Sequence, residues 1–175
     1  MKFDITKFIK EIIPYAFIIL FVVVFRSLVA TPVVVDGPSM DPTLKNGQLL
    51  ILYKLPQRYE RNDIVIVKTK INGKKERLVK RIIGLSGEKI EYKYHKLFIN
   101  DHKVEDKYAK KTEAFSLEEL YDIKKIPKKH YFIMGDNRNV SLDSRDTRVG
   151  LVSEQEIVGK AVFRIWPLNK IGVIK

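Results

Sequence analysis

Apolar positions form one long run near the N-terminus and many short runs after it. Residues 12–25 carry no charge, and the apolar character resumes past Arg26 as far as Ala30, which makes 19 residues from 12 to 30. A membrane-spanning helix needs about 20 mainly apolar residues, and an arginine near its end can extend to the lipid headgroups. The pattern therefore predicts a transmembrane anchor over residues 12–30, with Pro14 tolerated near its start.

The charges before the anchor predict its orientation. Lys2, Lys7 and Lys10 precede the apolar run. Since basic flanks stay in the cytoplasm, residues 1–11 are expected there, and residues 31–175 are expected on the extracytoplasmic side of the cell membrane. A cleaved export signal, with a loose cleavage site at residues 28–30, is the alternative.

Beyond the anchor, short apolar runs separated by turn residues predict strands. The turns are typified by Asn72-Gly73, Ser86-Gly87 and Asn100-Asp101. This pattern is typical of antiparallel sheets, and it predicts a mainly β domain built as an open barrel or sandwich. The predicted strands are 33–35, 48–53, 63–69, 77–85, 89–94, 97–99, 130–134 and 157–165.

Helix signals are scarce in this domain. Residues 116–121 and 153–157 each begin with a serine that has a glutamate three residues later, as in a capping box, and they predict two short helices. Residues 102–129 are polar, rich in lysine and weakly periodic, which indicates an excursion from the main sheet.

The composition limits the kinds of partner and cofactor that are expected. Lysine and arginine exceed aspartate and glutamate by 33 − 21 = 12, which indicates attraction to anionic lipid or nucleic acid. Cysteine is absent, and the three histidines are scattered. Disulfides and cysteine-ligated zinc are thereby excluded, and neither a metal nor a cofactor is expected.

A hydroxyl stands in an unusual setting at the end of the first strand. The sequence VVVDGPSMDP puts Ser39 between two prolines, shortly after the anchor. An ordinary surface turn would use the same residue types. The alternative is a nucleophile, although no G-x-S-x-G motif is present and no histidine is an obvious base.

A lysine could supply the base instead. In an extended segment Leu78, Lys80 and Ile82 share one face, so Lys80 lies among apolar side chains. Burial of an ammonium lowers its pKa, and a lysine with a lowered pKa can act as a general base. The alternative is a lysine that extends from a strand edge into water.

A third segment, residues 135–148 (GDNRNVSLDSRDTR), is dense in polar residues. It could be a solvated turn whose side chains bond to their own backbone. It could also be an ordered loop in which the Ser141 hydroxyl orients the base, while Asp143 and Arg145, two residues apart, hold each other.

Together the three segments resemble the type I signal peptidases, the membrane-anchored Ser-Lys proteases, in a Gram-positive-like form. The resemblance spans the anchor to Gly150. Its motifs are 39–44 (SMDPTL), 80–87 (KRIIGLSG) and 135–145. It implies the following roles: Ser39 as nucleophile, Lys80 as general base, Ser141 as the positioning hydroxyl, Asp143 with Arg145 as a supporting ion pair, and Arg81 with Asp136 as another.

The resemblance also implies a substrate and a way of binding it. Secretory preproteins with small residues before the cleavage site would bind as an extended strand between residues 33–36 and the strand that leads into Lys80. Membrane lipid is the other expected partner, and nucleic acid is not expected. The residues expected to bind substrate are Val33, Val35, Asp36, Met40, Leu44, Leu78 and Val79.

One position departs from the pattern of some members, which place a serine two residues before the nucleophile. Here Gly37 stands there, so the oxyanion would rely on backbone N–H groups, chiefly that of Ser39, since Pro38 has none.

Two other classes of protein stay open. A tethered, non-catalytic domain could bind anionic lipid or wall polymer through its lysines. A self-cleaving repressor shares the Ser-Lys pair but would carry a DNA-binding helical domain, for which this sequence shows no pattern.

Overall fold

The protein is described by a computed structural model over residues 5–55, 58–108 and 111–174. Within these residues two α-helices, twelve strands and two 3₁₀ turns occur. The helices are α1 (Ile5–Leu28) and α2 (Leu117–Tyr121), and the 3₁₀ turns are Glu154–Glu156 and Leu168–Lys170. The strands are β1 (Ala30–Val34), β2 (Leu49–Tyr53), β3 (Ile64–Ile71), β4 (Lys74–Gly84), β5 (Ile90–Lys93), β6 (Lys96–Ile99), β7 (His102–Val104), β8 (Phe115–Ser116), β9 (His130–Met134), β10 (Val152–Ser153), β11 (Ile157–Trp166) and β12 (Gly172–Val173).

Helix α1 contains the predicted anchor. Its segment Lys10–Leu28 is, among the described residues, the one helix long and apolar enough to cross a membrane, and none of it is buried against the protein. Pro14 lies inside the helix, as expected. The helix ends at Leu28, because Ala30 already belongs to β1, so the last two residues of the predicted span are not helical. Lys2, which contributed to the predicted orientation, lies outside the described residues.

The end of α1 is bonded to the sheet rather than left free. Lys54, just after β2, donates from Nζ to the carbonyl of Ser27 at 2.9 Å and from its backbone N–H to the carbonyl of Val29 at 2.9 Å. Thr31 donates from Oγ1 to the carbonyl of Arg26 at 2.8 Å. A cation at a helix C-terminus also complements the helix dipole. These bonds join the anchor to the start of β1.

The main sheet is antiparallel, as the sequence predicted. Its strand order is β1-β2-β11-β3-β4-β9-β10, with β12 paired to β11. Strands β3 and β4 form a hairpin through Asn72-Gly73, which both have positive φ (51° and 78°). This turn type matches the right-handed twist of paired strands. Because the turn is tight, β4 begins at Lys74, three residues before the predicted start.

A second sheet has the order β7-β6-β5-β8. Strands β7 and β8 belong to residues 102–129, the segment expected to be an excursion from the main sheet, in which no strand was predicted. Their pairing was missed because each is only two or three residues long. The predicted Asn100-Asp101 turn is present, with φ of 50° and 67°.

The predicted short helices have different outcomes. Helix α2 forms after Ser116, with the capping box that the sequence indicated. The prediction over residues 153–157 is wrong in type, because only a single 3₁₀ turn forms there. Glu156 does accept a hydrogen bond from the N–H of Ser153. The chain does not continue as a helix, because Ile157 starts β11 and pairs with β3 instead.

Buried side chains form three clusters around the two sheets. One cluster contains side chains of both sheets, including Tyr92 of β5 and Phe132 of β9. Another lies on the β4 face that carries Ile82. The third contains Val35, Met40 and Leu44, which surround the Ser39 loop. The segment before and after Ser39 is therefore fixed by core packing, not by its turn residues alone.

Candidate active site

The Ser39 loop is shaped by its flanking residues. Gly37 has a φ of +84°, a conformation that glycine adopts without strain, and its N–H donates to Asn46 Oδ1 at 2.9 Å. The chain turns there and brings Ser39 beyond the end of β1. On the far side of the loop, Asn137 donates from its backbone N–H to the Ser39 carbonyl at 3.0 Å and from Nδ2 to the Pro38 carbonyl at 3.2 Å.

Gly135 is the point at which the three sequence motifs meet. A Cβ added to Gly135 would lie 2.4 Å from the Ser39 carbonyl oxygen and 2.2 Å from Ser141 Oγ. No side chain fits at those separations, so only glycine allows Ser39 and Ser141 to approach this backbone. Arg81 pairs with Met134 in the antiparallel ladder of β4 and β9, and the next facing positions are Lys80 and Gly135.

Lys80 lies on β4 and is almost completely buried, with 2% of its surface exposed. Its neighbour across the ladder is Val65, which is also buried. Burial lowers the pKa of Lys80 to about 8; Asp143 and Asp136 oppose this decrease, and Arg145 adds to it. A lysine in water keeps its proton to a much higher pH, so a pKa of about 8 makes this side chain suitable as a base.

Ser141 contributes an unusual oxygen. Its Oγ is buried and, among the described residues, has no hydrogen-bond partner, a property that it shares only with Asp41 Oδ1. Buried polar atoms are nearly always hydrogen-bonded, and an exception can indicate a functional group. The hydroxyl lies beside Gly135, at the same junction as Ser39.

Asp143 and Arg145 stabilise the loop that carries Ser141. Their ion pair has an Nε–Oδ1 distance of 2.8 Å, and Asp143 Oδ2 also accepts from the N–H of Gly135 at 3.0 Å. Arg145 donates to the carbonyl of Arg138 at 2.8 Å. The expected contact between these two side chains is present, and it extends to the backbone of Gly135.

Arg81 and Asp136 form a second, buried ion pair. The guanidinium donates twice to the carboxylate, at 2.8 and 2.7 Å, and once to the carbonyl of Asn62 at 2.8 Å. Two parallel bonds of this kind fix the relative geometry of the two side chains. The pair joins the residue after Lys80 to the residue after Gly135.

Arg138 and Asn137 were not given roles by the sequence analysis. Arg138 is 2% exposed and donates to both oxygens of Asp106, at 2.7 and 3.0 Å, and to Thr112 Oγ1 at 2.6 Å. It thereby attaches the third motif to the excursion. Within a loop rich in arginine, the sequence pattern offers no signal that separates a buried arginine from an exposed one.

A cleft of about 520 Å³ separates β1 from β4. Among the residues expected to bind substrate, Val33, Asp36 and Val79 line it. The others lie elsewhere: Val35, Met40 and Leu44 belong to the buried cluster against which Val79 packs, and Leu78 packs on the other face of β4. Leu78 and Val79 are adjacent in a strand, so their side chains point to opposite faces.

No group of three or more histidine, aspartate or glutamate side chains within the described residues could hold a metal. The carboxylates at the junction, Asp136 and Asp143, are used in ion pairs with Arg81 and Arg145. The site therefore offers a hydroxyl, an amine and hydrogen-bond donors as its chemical groups.

Comparison with known proteins identifies the family. The family described as signal peptidase, peptidase S26, matches residues 5–166. The chain belongs to this signal peptidase family. It is therefore a peptidase, and the substrates of the family are preproteins with signal peptides.

Individual signal peptidases are similar over most of the chain. Signal peptidase IB of Staphylococcus aureus (strain COL) is 35% identical, over 97% of this chain and 94% of its own length. Signal peptidase I of Bacillus amyloliquefaciens is 36% identical, over 87% of this chain and 85% of its own. The crystal structure of a signal peptidase I from Enterococcus faecalis V583 is 32% identical, with a TM-score of 0.53, and covers 61% of this chain and 98% of that one.

Proposed function

We propose that this chain is a membrane-bound serine endopeptidase that removes signal peptides from exported preproteins, with Ser39 as nucleophile and Lys80 as general base. The observation that carries the proposal is the junction at Gly135, where the Ser39 carbonyl, Ser141 Oγ and the position facing Lys80 meet. Three motifs far apart in sequence are combined there around one hydroxyl and one buried amine.

The base needs a neutral amine, and burial supplies it. With a pKa of about 8, about a tenth of Lys80 is unprotonated at pH 7, which is about 300 times the fraction of a lysine with the usual pKa of 10.5. The amine takes the proton of Ser39 as Oγ attacks the scissile carbonyl carbon. It then gives that proton to the departing amine of the mature protein, which leaves an acyl-enzyme on Ser39.

The second half of the reaction uses the same groups. Lys80 takes a proton from a water molecule, which attacks the ester and releases the signal peptide with a carboxylate end; the proton returns to Ser39. Ser141 Oγ, which lacks a partner among the described residues, is free to bond to the amine and aim it. The pairs Asp143–Arg145 and Arg81–Asp136 hold the two strands that carry these groups.

The oxyanion would be bound by the N–H of Ser39. Gly37 cannot donate its own N–H, because Asn46 Oδ1 accepts it, and Pro38 has none. Among the described residues, the Ser39 N–H has no hydrogen-bond acceptor within the protein, so it is free to bind charge that develops on the substrate carbonyl.

The substrate would lie in the cleft between β1 and β4 as an added strand. Strand β1 is an end strand of the main sheet, so no strand of the described residues pairs with its outer backbone groups. An extended peptide can pair with such an edge through main-chain hydrogen bonds, while alternate side chains enter the cleft. Val33 and Val79 line the cleft and narrow it, so the cleft favours small side chains before the scissile bond.

The anchor would keep this cleft at the membrane surface. Thr31, which lines the cleft, is bonded to the last turn of α1. We propose a cytoplasmic tail over residues 1–11, an anchor over residues 12–30, and an extracytoplasmic domain over residues 31–175. Protease added outside spheroplasts should degrade the domain and spare the tail, whereas full protection of the domain would contradict this topology.

Cleavage of a purified preprotein by the full chain in phospholipid micelles tests the proposed activity. Ser39→Ala should reduce the rate by about 10³-fold or more, because the nucleophile and the base act as one unit. Ser86→Ala, which removes an exposed hydroxyl that donates to the carbonyl of His130, is the matched control and should retain the parental rate. Equal rates for Ser39→Ala and the parent, with matched folding, would exclude Ser39 as nucleophile.

A further inference from the structure

A second cavity lies beyond the proposed dyad. It has a volume of about 660 Å³ and is lined by Pro42, Thr43 and Arg81, among others; we call it the loop pocket. Its size is within the range of about 300–1,000 Å³ that is usual for ligand pockets. The cleft between β1 and β4 shares none of these residues.

The order of residues along both walls puts Ser39 and the backbone of Lys80 between the two cavities. On one wall, residues 31–34 and Asp36 line the cleft, Ser39 follows, and Pro42 and Thr43 line the loop pocket. On the other wall, Val79 lines the cleft, Lys80 follows, and Arg81 lines the loop pocket. An extended peptide that passes from the cleft across Ser39 therefore continues into the loop pocket.

The direction of the peptide follows from the anchor. The apolar part of a signal peptide lies in the bilayer, and the cleft begins at Thr31, which is bonded to the end of α1. Residues before the scissile bond would thus occupy the cleft. Residues after it, which become the N-terminus of the mature protein, would be the ones that reach the loop pocket.

The far wall of the loop pocket is held in a fixed position. It is formed by residues 105–108, in which Tyr108 OH and Thr43 Oγ1 are hydrogen-bonded at 2.6 Å. Asp106 is fixed by two bonds from the buried guanidinium of Arg138. The same motif that carries Ser141 therefore also positions this wall.

Two charged side chains of the pocket are available to a ligand. Arg81 and Asp106 are each neutralised by an ion pair. Glu105 and Lys107 are exposed and, among the described residues, form no ion pair. Lys107 Nζ lies 5.6 Å from the ring centre of Tyr108, which also lines the pocket.

We propose that the loop pocket binds the first residues of the mature protein in extended form, and that Glu105 and Lys107 determine which side-chain charges it accepts. This inference depends on the proposed peptidase activity. Because the two charges have opposite sign, the parent should accept acidic and basic residues about equally after the scissile bond. Loss or reversal of either charge should make the pocket favour residues of one charge after the scissile bond.

Two peptides test the proposal. They are identical up to the scissile bond and carry either lysine or glutamate at the second residue after it. The full chain in neutral phospholipid micelles cleaves each peptide at low salt, and kcat/KM is measured. Glu105→Lys should change the ratio of lysine to glutamate peptide about three- to tenfold in favour of glutamate, and Lys107→Glu should change it similarly in favour of lysine.

The control variant is Glu118→Lys, which makes the same charge change at an exposed position on α2 that lines neither cavity. Its ratio should equal that of the parent. If Glu105→Lys and Lys107→Glu both cleave the peptides with the parental ratio, the mature residues do not bind in the loop pocket. If all variants, the control included, change the ratio equally, the effect is one of net charge and the proposal is wrong. If the parent cleaves neither peptide, the proposed activity fails, and the pocket proposal with it.

Discussion

The pH dependence of cleavage tests the role of Lys80 most directly. At a pKa of about 8 the neutral fraction of the amine is about 1% at pH 6, about a tenth at pH 7, about a half at pH 8 and about nine tenths at pH 9. Because a base acts only without its proton, kcat/KM should rise about tenfold between pH 6 and pH 7 and level off above pH 9. A lysine with an ordinary pKa would show no such plateau.

Arg145→Gln should move this profile in a known direction. Its guanidinium disfavours the charged form of Lys80, while the carboxylate of Asp143 favours it. Removal of the guanidinium alone leaves the attraction between the Asp143 carboxylate and the charged amine unopposed by this repulsion, so the pKa of Lys80 should increase. The midpoint should shift to higher pH, and kcat/KM at pH 7 should fall by more than kcat/KM at pH 10.

Arg148→Gln is the matched control. Arg148 also pairs with an aspartate two residues before it, Asp146, in the same loop, but it is exposed and does not contribute to the pKa of Lys80. Initial rates on a preprotein peptide between pH 6 and pH 10 give both profiles. A flat profile in the parent, or an equal shift for Arg148→Gln and Arg145→Gln, would refute the argument.

Three further substitutions test the junction, with cleavage rates and thermal unfolding as readouts. Lys80→Arg should keep the charge but abolish cleavage at every pH, because arginine cannot lose its proton; substantial residual activity would mean that the residue acts through its charge. Gly135→Ala should lower the free energy of unfolding by about 1–3 kcal/mol and abolish cleavage. Gly159→Ala is its control, because the added Cβ would lie 2.4 Å from a backbone oxygen of Tyr53. This variant should lose similar stability but keep activity in its folded fraction. Equal activity of the two glycine variants would contradict the role of Gly135. Ser141→Ala should reduce kcat about 10- to 100-fold without loss of stability, since its hydroxyl has no partner among the described residues; a large loss of stability would indicate a structural role instead.

Local sequence determined the elements that depend on neighbouring residues. The apolar run from residue 12 is long enough for a helix in any context, and Asn72-Gly73 favours a tight hairpin through its own backbone preferences. Alternation around Lys80 puts Leu78, Lys80 and Ile82 on one face, and the burial of Lys80 in the structure decides between the two interpretations of that pattern. These signals are short-range, so they could be read directly from the chain.

Only the tertiary structure decided which distant residues meet. The pairing of β4 with β9 ends at Arg81 and Met134, so Lys80 and Gly135 are the next residues of the two chains, and the missing side chain of Gly135 admits Ser39 and Ser141 to the same point. The sequence shows Gly135 simply as the residue after a strand. The structure also separated Leu78 from the cleft, because the sheet exposes one face of β4 to the cleft and covers the other with a core cluster. Burial and proximity depend on how strands pair and pack across the whole domain, and no local pattern of residues contains that information.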